Sequence, residues 1–223
     1  MKRVLALALA AMMALTAMVL TGCNDKKDDG SAAVSAPEGA VANTTPDGVT
    51  TSFYKNEKDD QGRVTRTYNY NSKGELLGST AYEYDQYGND IKTVMYGADD
   101  EIKAQIKFEK TPEGLETKRT DVDANGVITS IITTEYTDAK QIKSVHRYNG
   151  DGTLKTYSEY EYDSKQNPTK CTTYDAKGNV KHYTTYVTDE KGNTTEYEYD
   201  AEGNLILTSK YNQDREALPT ENP

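Results

Sequence analysis

The sequence predicts an all-β protein, an antiparallel meander of about twelve short strands built from 26-residue units of two hairpins each. Turn-forming residues recur at fixed steps from residue 62 to residue 203, and the segments between them alternate in side-chain character with a period of two. A third observation says what those strands are made of: there is no Trp and only two Phe, against 18 Tyr.

The first elements are not part of the meander. Lys2 and Arg3 precede an apolar run from Val4 to Leu20, the layout of a secretory signal peptide. The run ends in Leu20-Thr21-Gly22-Cys23, which resembles the lipobox of bacterial lipoproteins. That resemblance implies a signal peptide over 1–22, peptidase recognition through Leu20, Thr21 and Gly22, and lipidation (palmitate or a similar acyl chain) of Cys23. The implied location is the cell membrane or outer membrane, facing away from the cytoplasm. Each buried methylene of such an anchor contributes ~0.8 kcal/mol. Residues 23–50 then read as the lipidated cysteine and a flexible tether. From Asn24 to Thr50 they are rich in Ala, Gly, Ser, Thr, Pro and Asp, with no aromatic to bury.

The β-repeat domain is placed at 51–212. Its turn positions are Gly62, Gly74, Gly88, Asp100, Gly114, Gly126, Lys140, Gly152, Gln166, Gly178, Gly192 and Gly203. Their spacing alternates 12 and 14 until a last step of 11. Nine of the twelve are Gly, the residue that takes the positive φ of a tight turn most cheaply. Because 12 and 14 are even, odd and even positions are expected to keep their faces across each turn. On that parity, 14 of the 17 tyrosines from residue 62 onward share the face of Leu154, the exceptions being Tyr87, Tyr157 and Tyr183. The other face carries Lys, Glu and Thr, whose opposite charges can pair across strands. A sheet of about twelve strands is expected to twist and curl, with a closed up-and-down barrel as the alternative. Residues 213–223, with two prolines, read as a disordered tail.

The phrases YDQYGN (84–89), YDAKGN (174–179) and YDAEGN (199–204) resemble the YD repeats of the RHS family over roughly 62–212. The resemblance implies a curled sheet of the kind that forms shells in that family. It implies no activity here: the chain has no DPxGL-like motif, and 150 residues are too few to enclose a cargo domain.

The search for chemistry excludes more than it finds. A formal net charge of −10 argues against nucleic-acid binding and against charge-driven adsorption to anionic lipid. No GxSxG, HExxH, P-loop or paired-cysteine spacing occurs, so no catalytic residue, no metal site and no cofactor is assigned. Beside Cys23, Cys171 is the only other cysteine, so no intramolecular disulfide is expected once Cys23 is lipidated, and Cys171 reads as a small strand residue. His146 and His182 both fall on the Tyr-rich face by parity, roughly 14 Å apart with two strands between them. Asp85, Asp163, Asp189 and Asp200, each followed by Asn89, Asn167, Asn193 and Asn204, read as acceptors for turn amides two or three residues on, in preference to Ca²⁺ ligands.

Tyr68, Tyr70, Tyr197 and Tyr199, placed near the sheet ends, are the candidate ligand-contacting residues, suited to a glycan because a phenol offers an apolar face and a polar tip. The functional expectation is a lipid-anchored cell-envelope protein, a non-enzymatic binding or structural module whose partners are the membrane and a glycan or protein at the cell surface. A carbohydrate-binding or adhesion lipoprotein using those tyrosines is the alternative.

Overall fold

The computed structural model describes residues 36–212, 214 and 216–218. The described residues form strands and turns, without a helix. They divide into two compact units, one holding residues up to 107 together with 123–125, the other 108–122 and 126 onward.

The first unit contains β1 (Val41–Thr44), β2 (Thr50–Lys58), β3 (Val64–Asn71), β4 (Leu76–Tyr84), β5 (Asp90–Gly97) and most of β6 (Ile102–Lys110). The second contains β7 (Glu116–Asp123) but for its last residue, β8 (Ile128–Tyr136), β9 (Ile142–Asn149), β10 (Leu154–Tyr162), β11 (Pro168–Asp175), β12 (Val180–Thr188), β13 (Thr194–Asp200), β14 (Leu205–Tyr211) and β15 (Ala217–Leu218). Within each unit hydrogen-bonded neighbours follow chain order, and among the described residues no ladder joins β15 to β1, so the barrel alternative falls away.

The turn repeat accounts for β3 to β14. Of the three further strands, β1 and β2 flank a turn at Gly48, one step before Gly62 and with φ +86°, and β15 lies beyond the last turn position. β1 falls in the stretch assigned to the flexible tether, which is corrected for 41–50: Thr45 to Val49 form a tight turn, and Val41, Ala42 and Asn43 pair with Tyr54, Phe53 and Ser52. All four residues of β1 remain exposed, and beside the backbone ladder the Asn43 side-chain amide donates to Ser52 Oγ at 2.8 Å. β15 falls in the expected disordered tail, where Ala217 and Leu218 pair with Tyr211 and Lys210.

All twelve predicted turn positions have positive φ, from +59° at Asp100 to +89° at Gly88. Each is the fourth residue of a five-residue turn. Around Gly88, the Asp85 amide donates to the Asn89 carbonyl at 2.9 Å and the Gly88 amide to the Asp85 carbonyl at 3.1 Å. The same two bonds recur at Asp163–Asn167, Asp175–Asn179, Asp189–Asn193 and Asp200–Asn204.

The parity expectation fails, for an identifiable reason. Beside nearly every turn one strand carries an extra residue. Tyr84 opposes Asp90, but Glu83 opposes Lys92, so Ile91 is bulged out. In the same way Lys155 is extra between β9 and β10, and Thr169 between β10 and β11. One extra residue exchanges the two faces. Even-numbered residues of one strand therefore share a face with odd-numbered residues of the next: Tyr82 with Thr93, Tyr157 with His146 and Tyr174. The β12–β13 ladder has no such shift.

Both faces consequently carry tyrosine. In the first unit Tyr68, Tyr70 and Tyr96 share the face of Phe53, while Tyr54 and Tyr82 take the other. In the second unit Tyr160 and Tyr186 share the face of Ser158, and Tyr148, Tyr157, Tyr174, Tyr183, Tyr197 and Tyr199 share that of Ser144. Burial is correspondingly divided. Phe53, Val94, Val122 and Val145 are the buried apolar side chains, and they are joined by small polar ones: Ser79, Ser144, Ser158 and Thr172. No described side chain falls below 2% exposure. Side chains standing on the sheet shield one another and the strand centres, which suits Tyr and Thr better than Leu.

Candidate functional site

The turns come first, because they hold the recurrent Asp and Asn. In each of the Asp163, Asp175 and Asp189 turns, Asp Oδ1 accepts from the amides two and four residues on at 2.8–2.9 Å. Its Oδ2 accepts from the Asn side-chain amide at 3.0, 2.9 and 2.9 Å. Asp200 is held likewise by Asn204. These Asn side chains, and next the backbone amides, hold all four carboxyls below the usual aspartate range. Both carboxylate oxygens thus face N–H donors of the same turn, which is a fold-holding use of the pair.

A second recurrent device spans two strands. Tyr84, Tyr136 and Tyr162, each the last residue of its strand, donate their hydroxyls to the carbonyls of Val64, Glu116 and Ile142 at 2.7, 2.8 and 2.7 Å. Each acceptor is the first residue of the preceding strand in the meander or next to it, so a phenol closes the hairpin mouth.

The four candidate tyrosines are not at sheet ends. β3 is flanked by β2 and β4, and β13 by β12 and β14, so the end placement of the pairs is corrected. All four are half-buried. Tyr68 donates to Glu57 at 3.1 Å, and the Arg66 guanidinium lies 5.0 Å from its ring and 4.6 Å from that of Tyr96. Arg66 also donates to Ser79 Oγ at 2.9 and 2.8 Å and pairs with Asp100. Tyr70 opposes Phe53, Tyr197 opposes Thr185 and Thr208, and Tyr199 stacks on Tyr183 at 4.8 Å. Leu20, Thr21, Gly22 and Cys23 lie outside the described residues.

The histidines stand on opposite faces of the second unit, not together on one: His146 opposes Tyr157, whereas His182 opposes Thr173. The bulges responsible are the same that overturn the tyrosine parity. Cys171 is half-buried opposite Tyr160. Burial pushes its thiol up, outweighing the Tyr160 hydroxyl that donates to the sulfur and the nearby Arg147. The same burial, with Cys171 beside it, pushes the Tyr160 phenol well above its ordinary value.

Two grooves indent the second unit. One, of about 360 Å³, lies beside Arg147, Tyr160, Cys171, Lys181 and His182. The other, of about 330 Å³, lies beside Glu135, Ser144, His146, Glu159, Glu161 and Tyr174. An aromatic row flanks the second: His146 stacks on Tyr157 at 5.5 Å, and Tyr157 on Tyr174 at 4.7 Å. Sequence reasoning missed this groove. Even-step parity puts Tyr157 and Tyr174 on opposite faces, so the row becomes legible only when one residue is added per hairpin.

Comparison with known proteins agrees with the repeat reading over part of the chain. The RHS Repeat family model matches residues 174–213, from the end of β11 through β14. Among solved structures, a Photorhabdus luminescens Tc holotoxin pore is similar at 12% identity and a TM-score of 0.41, covering 80% of this chain and 10% of that one. A porin-like protein from Bacteroides uniformis is similar at 11% identity and a TM-score of 0.40, covering 70% of this chain and 56% of that one. No curated protein matches the chain.

Proposed function

We propose that this protein is a lipid-anchored cell-envelope β-repeat protein that acts as a non-enzymatic binding or structural module. The observation that carries the anchor is Leu20-Thr21-Gly22-Cys23 standing directly after a basic start and an apolar run. The module reading is supported by the RHS Repeat match at 174–213 and by a meander whose side chains are spent on holding strands and turns together. Asp163, Asp175, Asp189 and Asp200 hold their own turns, and Tyr84, Tyr136 and Tyr162 bond to the carbonyls of neighbouring strands.

Two measurements test the two halves of the proposal. With radiolabelled palmitate, the wild-type chain should incorporate label and lose residues 1–22, and Cys23→Ala should take up no label and keep them. Membrane-bound, processed Cys23→Ala would refute the anchor. Turnover of ester or glycoside substrates by the purified chain would refute the non-enzymatic half.

A further inference from the structure

In the second unit, Glu135 on β8, Ser144 on β9 and Glu159 on β10 stand directly opposite one another, and Thr172 on β11 continues the row. Two residues along the strands runs the parallel row of His146, Tyr157 and Tyr174 with its stacked rings. The 330 Å³ groove lies between them, with Glu161 at its side.

Three features of this groove ask for a ligand of one kind. Its lining is acidic: the exposed Glu135, Glu159 and Glu161 stand there against one lysine, Lys143, which lies 3.5 Å from Glu135, while the Tyr174 hydroxyl donates to Glu159. Its floor holds an unused polar atom. Ser144 is 5% exposed, and its buried hydroxyl has no hydrogen-bond partner. A buried polar group without a partner is uncommon in a folded protein. Its wall is the stacked row, lined by His146 and Tyr174 with Tyr157 between them, and ring edges of this kind give an aliphatic stem an apolar surface to lie on. An anion is repelled here, and a neutral ligand makes no use of the excess negative charge. The carboxylates also do not converge into a group fit to hold a metal ion, among the described residues.

We propose that this groove binds a primary ammonium on an aliphatic stem, with Glu135, Glu159 and the Ser144 hydroxyl as acceptors and the Tyr157–Tyr174 row against the stem. An ammonium has three N–H donors, which matches three acceptors in one row. The same chemistry comes from two sources, a free polyamine or the lysyl side chain of a peptide. The inference rests on the second unit's sheet and not on the lipid anchor.

The test is a calorimetric titration of the purified full-length chain with spermidine and, separately, with trilysine, at fixed ionic strength. Saturable binding of at least one is expected, and the tighter of the two identifies the source. Glu159→Gln should weaken it about tenfold and Ser144→Ala several-fold, while Glu190→Gln, in an exposed turn away from the groove, should leave it unchanged. In the wild-type chain, the amide resonances that move on adding ligand should be those of Glu135, Ser144, Glu159 and Tyr174, which keeps the test independent of how the variants fold. No saturable binding of either probe overturns the proposal. Equal weakening by Glu190→Gln and Glu159→Gln, or shifts spread over the chain, overturns it too, since that is diffuse attraction to an acidic protein.

Discussion

Gly152 and Gln166 stand at the two ends of β10 and occupy the same turn position with different residues, which makes them a matched pair for mutation. Gly152 has φ +83° and Gln166 φ +68°. A Cβ added at Gly152 meets nothing within 4 Å, so Gly152→Ala has no steric clash to confuse the result. Its cost is that of placing an L residue at positive φ, about 1–2 kcal/mol, less about 0.4–1 kcal/mol recovered from the stiffer unfolded chain. The net is a loss of about 1 kcal/mol, or roughly 2–4 °C in Tm for a protein of this size. Gln166→Gly runs the argument backwards. Its amide donates to Asp163 and its carbonyl accepts from the Gln141 side chain, and glycine keeps both bonds. A gain of up to about 1 kcal/mol is expected. Thermal melts followed by circular dichroism read both. A Gly152→Ala protein that melts with wild type, or a Gln166→Gly protein that melts below it, refutes the argument that positive φ alone selects the turn residue.

Three further outcomes follow from the same geometry. The carboxyls of Asp163, Asp175, Asp189 and Asp200 are lowered in the folded state, so they stabilise above the ordinary aspartate range and lose that contribution as pH falls through their folded values. Tm measured against pH should be flat from pH 7 to 5 and fall below about pH 4; a fall already complete at pH 5 would contradict the assignment. Tyr136→Phe removes the 2.8 Å bond to the Glu116 carbonyl and should cost about 1 kcal/mol in urea denaturation, and Tyr162→Phe about the same for its bond to Ile142. Unchanged midpoints would show that these phenols do not close the hairpins. Finally, with burial raising its thiol, Cys171 should react with iodoacetamide at pH 8 about tenfold more slowly in the native chain than in urea; equal rates would refute its burial.

How much of this was legible depends on what each feature leaves in the sequence. A turn leaves a residue type, because positive φ selects Gly and a turn carboxylate selects Asp. All twelve positions, including Asp100, Lys140 and Gln166, could therefore be read from spacing. A bulge leaves nothing of the kind. Ile91, Lys155 and Thr169 are ordinary strand residues, and steps of 12 and 14 conceal an extra residue that is taken up inside the step. The faces, and with them the Ser144 groove, were thus misassigned even though the strands were placed correctly. β1 escaped for another reason. Its turn was visible in Pro46-Asp47-Gly48, but a strand with every side chain exposed shows no alternation to read.

The one-residue shift at the hairpins is the central claim, because it decides which side chains meet. Ring-to-ring nuclear Overhauser contacts between Tyr157 and Tyr174 test it most directly. With the shift, the two residues are direct partners and their rings lie 4.7 Å apart, so strong cross-peaks between their ring protons are predicted. Without it, Tyr157 would oppose Thr173 and the Tyr174 ring would lie on the other side of the sheet. Cross-peaks from Tyr157 to the Thr173 methyl, with none to Tyr174, would contradict the account.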